Sequence, residues 1–450
     1  MKLLFLLPEY VNNAGGGIIT FYRHFLPLLA AQGHQVRVIV GSGVYAEANA
    51  SPVVIDGVSV ETLTHSCLLK YHAKFARYAA MPGLRRHLAA AWAMWDQAGR
   101  GDGFDVVEAT DWGLLFIPWV VEQQPPCVVQ LHGSIGQVDF HDPVRGEEVQ
   151  GNLLRMLERS AISKSALVQA YGEGNAKFWR AQMTHDVTRI WPAWRPLPLS
   201  ASGPRSTRGL VVGRIQRWKG PHVLCEALGL LGAHAPSIDW LGRDMAYESR
   251  ATTMGEHLKQ VWPAIWGRLL TPLAQVAAAH AAQLQAQAAF VVVPSLWDTF
   301  NFTCVEAMGA ATPVICSTGA GACELIIDGE NGFTFKNGDP QSLANALERM
   351  LNLSEHARRE IGTAGQRTVL HALDPVVICQ ERLQAYQTVA SQTPLRAALC
   401  SDDWLRLASI PSEKTTESLD FLDQFPLKAL IKHTARRVLH KVGVQGVVHD

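Results

Sequence analysis

The sequence predicts an α/β protein made of two doubly wound, Rossmann-like domains. Three observations carry this. Short β-branched runs alternate with helical stretches through both halves of the chain, the pattern of parallel sheets covered by helices. In each half a strand runs into a glycine-containing loop that opens a helix, after residues 3–7 and again after residues 210–212. Between the halves, residues 191–206 hold Pro192, Pro196, Pro198 and Pro204 with little hydrophobic periodicity, which is the composition of a linker.

Size and composition agree with this reading. A chain of 450 residues suggests two or three domains, and 48% hydrophobic residues suffice for substantial cores. Lys+Arg and Asp+Glu are both 40, so nothing in the charge balance points to nucleic acid or an acidic polymer. The eight cysteines are scattered without a C-x-x-C pair, which argues against a zinc site and fits small buried hydrophobes in a reducing compartment. The apolar run 3–7 stops at Pro8-Glu9, too short for a signal peptide, and no apolar stretch reaches bilayer length. The expectation is a cytoplasmic protein, soluble or held peripherally at the inner face of the membrane.

In chain order, residues 3–7 read as the first strand, followed by Gly15-Gly16-Gly17 and a helix over 18–32 that Gly33 ends. Such a loop lets backbone N–H groups approach a diphosphate, although a glycine triplet alone also reads as a flexible turn, and G-x-G-x-x-G is missing. Residues 35–40 form the second strand. Residues 53–63 form a hairpin turning at Asp56-Gly57. A helical stretch over 73–98 is broken at Pro82-Gly83, and the histidines near it lack ligand spacing. Strands at 104–108 and 127–131 end in Glu108-Ala-Thr-Asp111 and His132-Gly133-Ser134. Ligands bind at such carboxyl ends in open α/β sheets, and Glu108 and Asp111 are acceptor-side candidates.

In the second half, residues 210–212 lead into Gly213-Arg214-Ile-Gln-Arg217-Trp-Lys219-Gly220 and a helix over 221–231 that starts with Pro221. Arg214 and Lys219 can converge on one anion, or can be two solvated surface charges. Strands at 238–241 and 268–270 alternate with helices at 248–262 and 273–285. Residues 290–293 form a buried strand closed by Pro294. A turn follows, and a helix over 303–311. Asp298 stands before that helix and Glu306 one turn inside it, so an anion at the helix start could carry a polyol to Glu306. A capped helix with a solvated carboxylate is the plain alternative. Strands at 313–316 and 332–335, a helix start at 319–321, and helices at 340–351, 355–372 and 375–389 complete the pattern. In the tail, Leu427, Leu430, Ile431, Val438, Leu439 and Val442 recur at helical spacing, with Lys428, Lys432, Arg436, Arg437 and Lys441 on other faces. Such a helix can lie on an anionic membrane or pack on the protein.

The stretch P-S-x-W-D-x-F-x-x-x-x-x-E-A-M resembles the E-x₇-E signature of retaining, nucleotide-sugar-dependent glycosyltransferases with the GT-B fold, family 4. So do G-R-x-x-x-x-K-G and V-V-Q-L-H-G-S with the helix that follows it, and the resemblance covers roughly residues 1–390. It implies two domains facing across a cleft. Residues 1–195 would form the acceptor-side domain and 205–373 the nucleotide-sugar domain. A helix over 374–390 would cross back, and 391–450 would be an extension.

By the same resemblance, His132, Asp298, Arg214 and Lys219 are catalytic. The donor lies against Gly15, Gly16, Gly17, Arg214, Lys219, Phe300, Asn301, Phe302, Thr303 and Glu306. The nucleotide sugar is a substrate, and neither metal nor cofactor is implied. The acceptor is a glycan or a lipid-linked glycan. Two departures stand out: Asp298 replaces the usual Glu, and Asn301 stands where Gly is common. They leave room for a non-catalytic nucleotide-sugar-binding partner of another transferase. A GT-B epimerase is a further alternative.

Overall fold

The computed structural model describes residues 1–10, 16–48, 51–79, 81–142, 149–183, 186–197, 205–247, 252–392 and 427–441. The amino-terminal half forms an eight-stranded sheet from β1 (Lys2–Leu7), β2 (Gln35–Val40), β3 (Val53–Ile55), β4 (Val58–Thr62), β5 (Val106–Thr110), β6 (Cys127–Leu131), β7 (Leu167–Ala170) and β8 (Thr188–Arg189). Their order is β3-β4-β2-β1-β5-β6-β7-β8, parallel except for the β3–β4 hairpin. That hairpin turns at Asp56 and Gly57, both at positive φ, as a two-residue turn requires. Strand β1 shows why the sheet needs helices on both faces. Leu3, Phe5 and Leu7 enter one core while Leu4 and Leu6 enter another.

The second half adds β9 (Gly209–Val212), β10 (Ile238–Leu241), the two-stranded pair β11 (Ala246–Tyr247) and β12 (Thr252–Thr253), β13 (Leu270–Leu273), β14 (Val291–Val293), β15 (Val314–Ser317) and β16 (Phe333–Phe335). The six-stranded sheet runs β13-β10-β9-β14-β15-β16, all parallel. Chain direction across each sheet reverses between β1 and β5 and between β9 and β14. These are the switch points at which crevices open beyond the strand ends.

Several element bounds differ from the sequence reading, each for a local reason. The strand expected at 104–108 begins two residues later, because Asp105 is used to accept the Lys2 N–H at 2.7 Å. The helical stretch 73–98 is two helices, His65–Lys74 and Pro82–Gln97, with Pro82 starting the second as its missing N–H favours. The helix expected over 248–262 begins only at Met254, after the β11–β12 pair. Thr253 and Glu256 form a capping box there, a signal present in the sequence. The strand expected at 268–270 lies at Leu270–Leu273, and the helix after it at Ala278–Gln287. The helix start at 319–321 is a single 3₁₀ turn, Gly321–Leu325.

The helix Pro375–Ser391 returns to the amino-terminal half. Its Arg382 is fully buried there, bonded to Gln169 Oε1 at 2.9 Å and to Gln130, and paired with Glu108 at 3.4 Å. One hydrophobic core runs from Phe21, Tyr22 and Phe25 through Phe300, Phe302 and Met308 to Tyr386, so apolar packing joins the two halves. Among the described residues, no helix is long and apolar enough to cross a membrane. Part of the amphipathic tail segment, including Val442, lies outside the described residues.

Candidate active site

Two loops at the β9/β14 switch point are fitted against each other by a glycine. Gly220 has φ +74°, and a Cβ there would sit 1.9 Å from the Pro294 carbonyl oxygen. No other residue type fits, so the end of G-R-x-x-x-x-K-G lies directly on P-S-L-W-D. The Leu296 N–H donates to Trp218 O at 2.8 Å, and the Trp218 and Trp297 rings approach at 5.3 Å. This contact brings Lys219 Nζ onto the Asp298 carboxylate as an ion pair. Lys219 Nζ also lies 4.6 Å from the Trp218 ring centroid, and the Arg214 guanidinium 6.0 Å from the same centroid. Thr303 Oγ1 donates to Val212 O at 3.3 Å, tying the Arg214 loop to the start of the helix Phe302–Gly309.

Asn301 organises that helix start. Its φ is +84°, a conformation that Gly and Asn adopt most readily, which accounts for Asn at this position. Its Oδ1 accepts the Cys304 N–H at 3.1 Å, and its Nδ2 donates to Asp298 Oδ2 at 2.9 Å. Glu306, one turn further on, accepts from Gln285 Nε2 at 2.9 Å, and burial raises its carboxyl above the usual range.

The amino-terminal half supplies the facing wall. The helix Gly17–Ala31 begins so close to the other half that a Cβ on Gly17 would lie 3.3 Å from the Phe302 ring. Two helix N-termini therefore meet, and each carries partial positive charge. Gly16 N–H donates to Glu9 Oε1 at 3.2 Å. Gly15 lies outside the described residues.

His132 is held from every side. Its N–H and that of Gly133 donate to the two Asp111 oxygens at 2.8 and 3.1 Å. Its carbonyl accepts from Thr299 Oγ1 of the other half at 3.2 Å. Its Nε2 lies 3.3 Å from the Tyr171 hydroxyl. Burial first, and then the charge of Arg382, push the imidazole down to about 3, so it is neutral near pH 7. Gly133 has φ +107°, and a Cβ on it would lie 3.0 Å from the Trp297 indole. Trp297 stacks on His141 at 4.4 Å and 7°. A second cross-connection joins the halves: both Glu324 oxygens accept backbone N–H groups, from Glu173 and Gly174, at 3.0 Å.

Of the residues marked in the sequence, Arg214, Lys219, Asp298, Phe300, Asn301, Phe302, Thr303 and Glu306 thus lie on two abutting loops and one helix. Gly16, Gly17 and His132 lie on the opposing edge. The structure places Glu108 and Asp111, the acceptor-side candidates, out of contact with solvent. Glu108 is 1% exposed, accepts from the Tyr22 hydroxyl at 2.7 Å and from Tyr386, and pairs with Arg382. A carboxylate removed from water needs such partners. Asp111 is 0% exposed, spends both oxygens on the backbone beneath His132, and is pushed by burial up to about 7.

The sequence reading missed Glu9, Tyr171, Glu158 and Arg382. Tyr171 could have been found, since it follows the strand paired in parallel with the one that ends at His132. Glu158 binds Ser134 Oγ at 2.8 Å and Gly136 N–H at 2.9 Å; its signal was a charge on the buried face of a helix.

Comparison with known proteins bears on the fold and the family. Residues 206–353 match the family model described as glycosyl transferases group 1, and residues 16–174 that of the glycosyl transferase 4-like domain. The D-inositol 3-phosphate glycosyltransferase of Paenarthrobacter aurescens is 29% identical over 214 residues, 46% of this chain and 52% of that protein. The glycogen synthase of Mycobacterium tuberculosis is 26% identical over 398 residues, 82% and 90% of the two chains. The chain spans about half the length of the first of these relatives. Among solved structures, sucrose-phosphate synthase of Thermosynechococcus elongatus is similar with a TM-score of 0.66 at 20% identity, over 86% of this chain and 99% of that one. HepE of Anabaena in complex with UDP-glucose is similar with a TM-score of 0.61 at 18% identity, over 86% and 100%. With both halves matched by family models and both sheets shared with these structures, the chain belongs to the retaining GT-B glycosyltransferases of family 4, the glycosyl transferases group 1.

Proposed function

We propose that the protein transfers a sugar from a nucleotide-diphosphate donor to a hydroxyl of a glycan or lipid-linked glycan, with retention at the anomeric carbon. The observation that carries this is the meeting of two helix N-termini, at Gly17 and Phe302, beside the loop of Arg214 and Lys219. A diphosphate placed there faces free N–H groups, a guanidinium fork and an ammonium. Residues 1–195 form the acceptor side in this reading, and residues 205–373 hold the donor. Glu306, oriented by Gln285, accepts from the ribose hydroxyls. Asp298 shares Lys219 with the diphosphate and meets a hydroxyl of the donor sugar.

The reaction breaks the bond from the anomeric carbon to the phosphate oxygen and forms one to the acceptor oxygen on the same face. The departing phosphate oxygen takes the acceptor proton. Negative charge grows on that oxygen in the transition state, where Arg214 and Lys219 act most strongly. His132, being neutral, orients the sugar through one hydrogen bond and supplies no charge.

UDP-glucose, bound by the similar HepE structure, is the first donor to try. Arg214→Ala and Lys219→Ala are each expected to lower turnover by more than about tenfold with the fold intact. Unchanged turnover in both would sink the reading. Glu306→Ala is expected to weaken nucleotide binding in calorimetry.

The helix Leu427–Lys441 extends the proposal to the membrane. Leu427, Ile431, Val438 and Leu439 are exposed on it, and this stretch holds Lys and Arg without an acid. Such a helix suits the surface of an anionic bilayer. The protein is expected to sediment with phosphatidylserine vesicles but not with phosphatidylcholine vesicles. Lys428→Glu/Lys432→Glu/Arg437→Glu should abolish sedimentation without changing turnover on a soluble acceptor.

A further inference from the structure

Beyond the carboxyl ends of β1, β2 and β5 lies a cavity of about 150 Å³ that the donor reading leaves unused. Its apolar surface comes from Pro8, Val44, Trp112 and Leu115, and its polar groups include Arg86 and His87. Two loops that line the cavity adjoin the reaction centre in sequence. Pro8 precedes Glu9, which binds Gly16, and Trp112 follows Asp111, which holds His132.

The loop that carries Trp112 and Leu115 to the cavity is built at a cost. Gly113 has φ +80°, and the bulky Leu114 after it has φ +61° while fully buried. A left-handed leucine is a strained residue, and such strain gathers where a loop has a task. Across the cavity, a Cβ on Gly43 would come within 2.8 Å of the Arg86 backbone, so that loop is seated directly on the helix Pro82–Gln97.

The polar groups identify the ligand. His87 Nδ1 is buried without a hydrogen-bond partner among the described residues, which costs free energy until something bonds it. Burial and the charge of Arg86 push this imidazole down to about 4, so it meets a hydroxyl as a neutral group. Elsewhere in this half, Arg37 is paired with Glu61, and Arg180 with Glu173 and Asp186. Among the described residues Arg86 has no carboxylate partner, and neither Asp nor Glu lines the cavity. Arg86 is an exposed residue of the lining; a guanidinium beside an apolar floor favours a planar or tetrahedral oxyanion, and an indole there favours the C–H face of a ring.

We propose that this cavity receives the acceptor, and that the acceptor is anionic: a sugar or polyol ring bearing a phosphate or carboxylate that Arg86 grips. The proposal rests on the transferase reading for the word acceptor, but not for the binding itself. Glucose, glucuronic acid and glucose 6-phosphate are suitable probes, titrated into the full chain by calorimetry with UDP binding measured in parallel. At least one charged probe is expected to bind about tenfold or more tighter than glucose, and the two charged arms separate carboxylate from phosphate. Arg86→Met, which keeps the aliphatic stem, is expected to erase that preference while leaving UDP affinity unchanged. Arg86→Lys should restore part of it. Equal binding of the three probes, binding of none, or a preference that survives Arg86→Met would overturn the assignment. Failure of UDP to bind the parent protein would strike the transferase reading instead.

Discussion

Asn301 shows how much one side chain can determine. It tolerates a positive φ, caps the helix Phe302–Gly309 through Cys304, and donates to Asp298. Asn301→Ala is expected to cost about 2 kcal/mol, from the lost cap and the strained backbone together. Asn301→Gly should cost only a few tenths, because the backbone strain disappears. Urea denaturation of the two variants checks the order, and equal losses would contradict it. At this scale the sequence was legible where chemistry repeats a local pattern, as around Asp298 and Glu306. It was illegible where a partner is remote. Lys219 and Asp298 are 79 residues apart, and nothing local shows that each meets the other. Glu108 reads identically whether it faces a crevice or a buried arginine 274 residues on.

Among elements, the helix Pro375–Ser391 is tied to the rest through Arg382. The guanidinium lies 4.6 Å from the Phe21 ring and 5.1 Å from that of Phe25, and bonds to groups on β5, β6 and β7. Removing one member of a buried pair leaves the other charged in an apolar place. Arg382→Met is therefore expected to lose about 3–5 kcal/mol in urea denaturation, and adding Glu108→Gln should recover part of it. Element types were legible from periodicity, because buried parallel strands read as short β-branched runs. Their ends were not, where a side chain such as Asp105 diverts the backbone into a specific bond.

Over the whole molecule, buried ionisable groups set a pH optimum. Burial pushes His132 down to about 3 and His24, His87, His141 and His222 to about 4. The unfolded chain binds these protons near pH 6.5, so their stabilisation is present above that value and lost as pH falls toward 4 and 3. Asp111 and Glu158 act with the opposite sign, pushed up to about 7 and about 8. Their stabilisation is present below the ordinary carboxyl range and lost as pH rises through 7 and 8. Melting temperature is expected to peak at about pH 6.5 and decline on both sides, with Glu158→Gln flattening the alkaline decline. A steady rise to pH 9 would contradict this. The overall architecture was legible because strand–helix alternation and a proline-rich linker are global features of the sequence. The packing that joins the halves, from Phe21 through Phe302 to Tyr386, was not, since each of those residues reads only as apolar.

The Glu324 carboxylate reaches over to the amides of Glu173 and Gly174 at the start of the helix Glu173–Arg180. Those two protons are bonded by a residue of the opposite lobe. Their deuterium uptake is therefore expected to report on this contact: slower than in Glu324→Ala while the two halves stay joined there, and equal to it if they part.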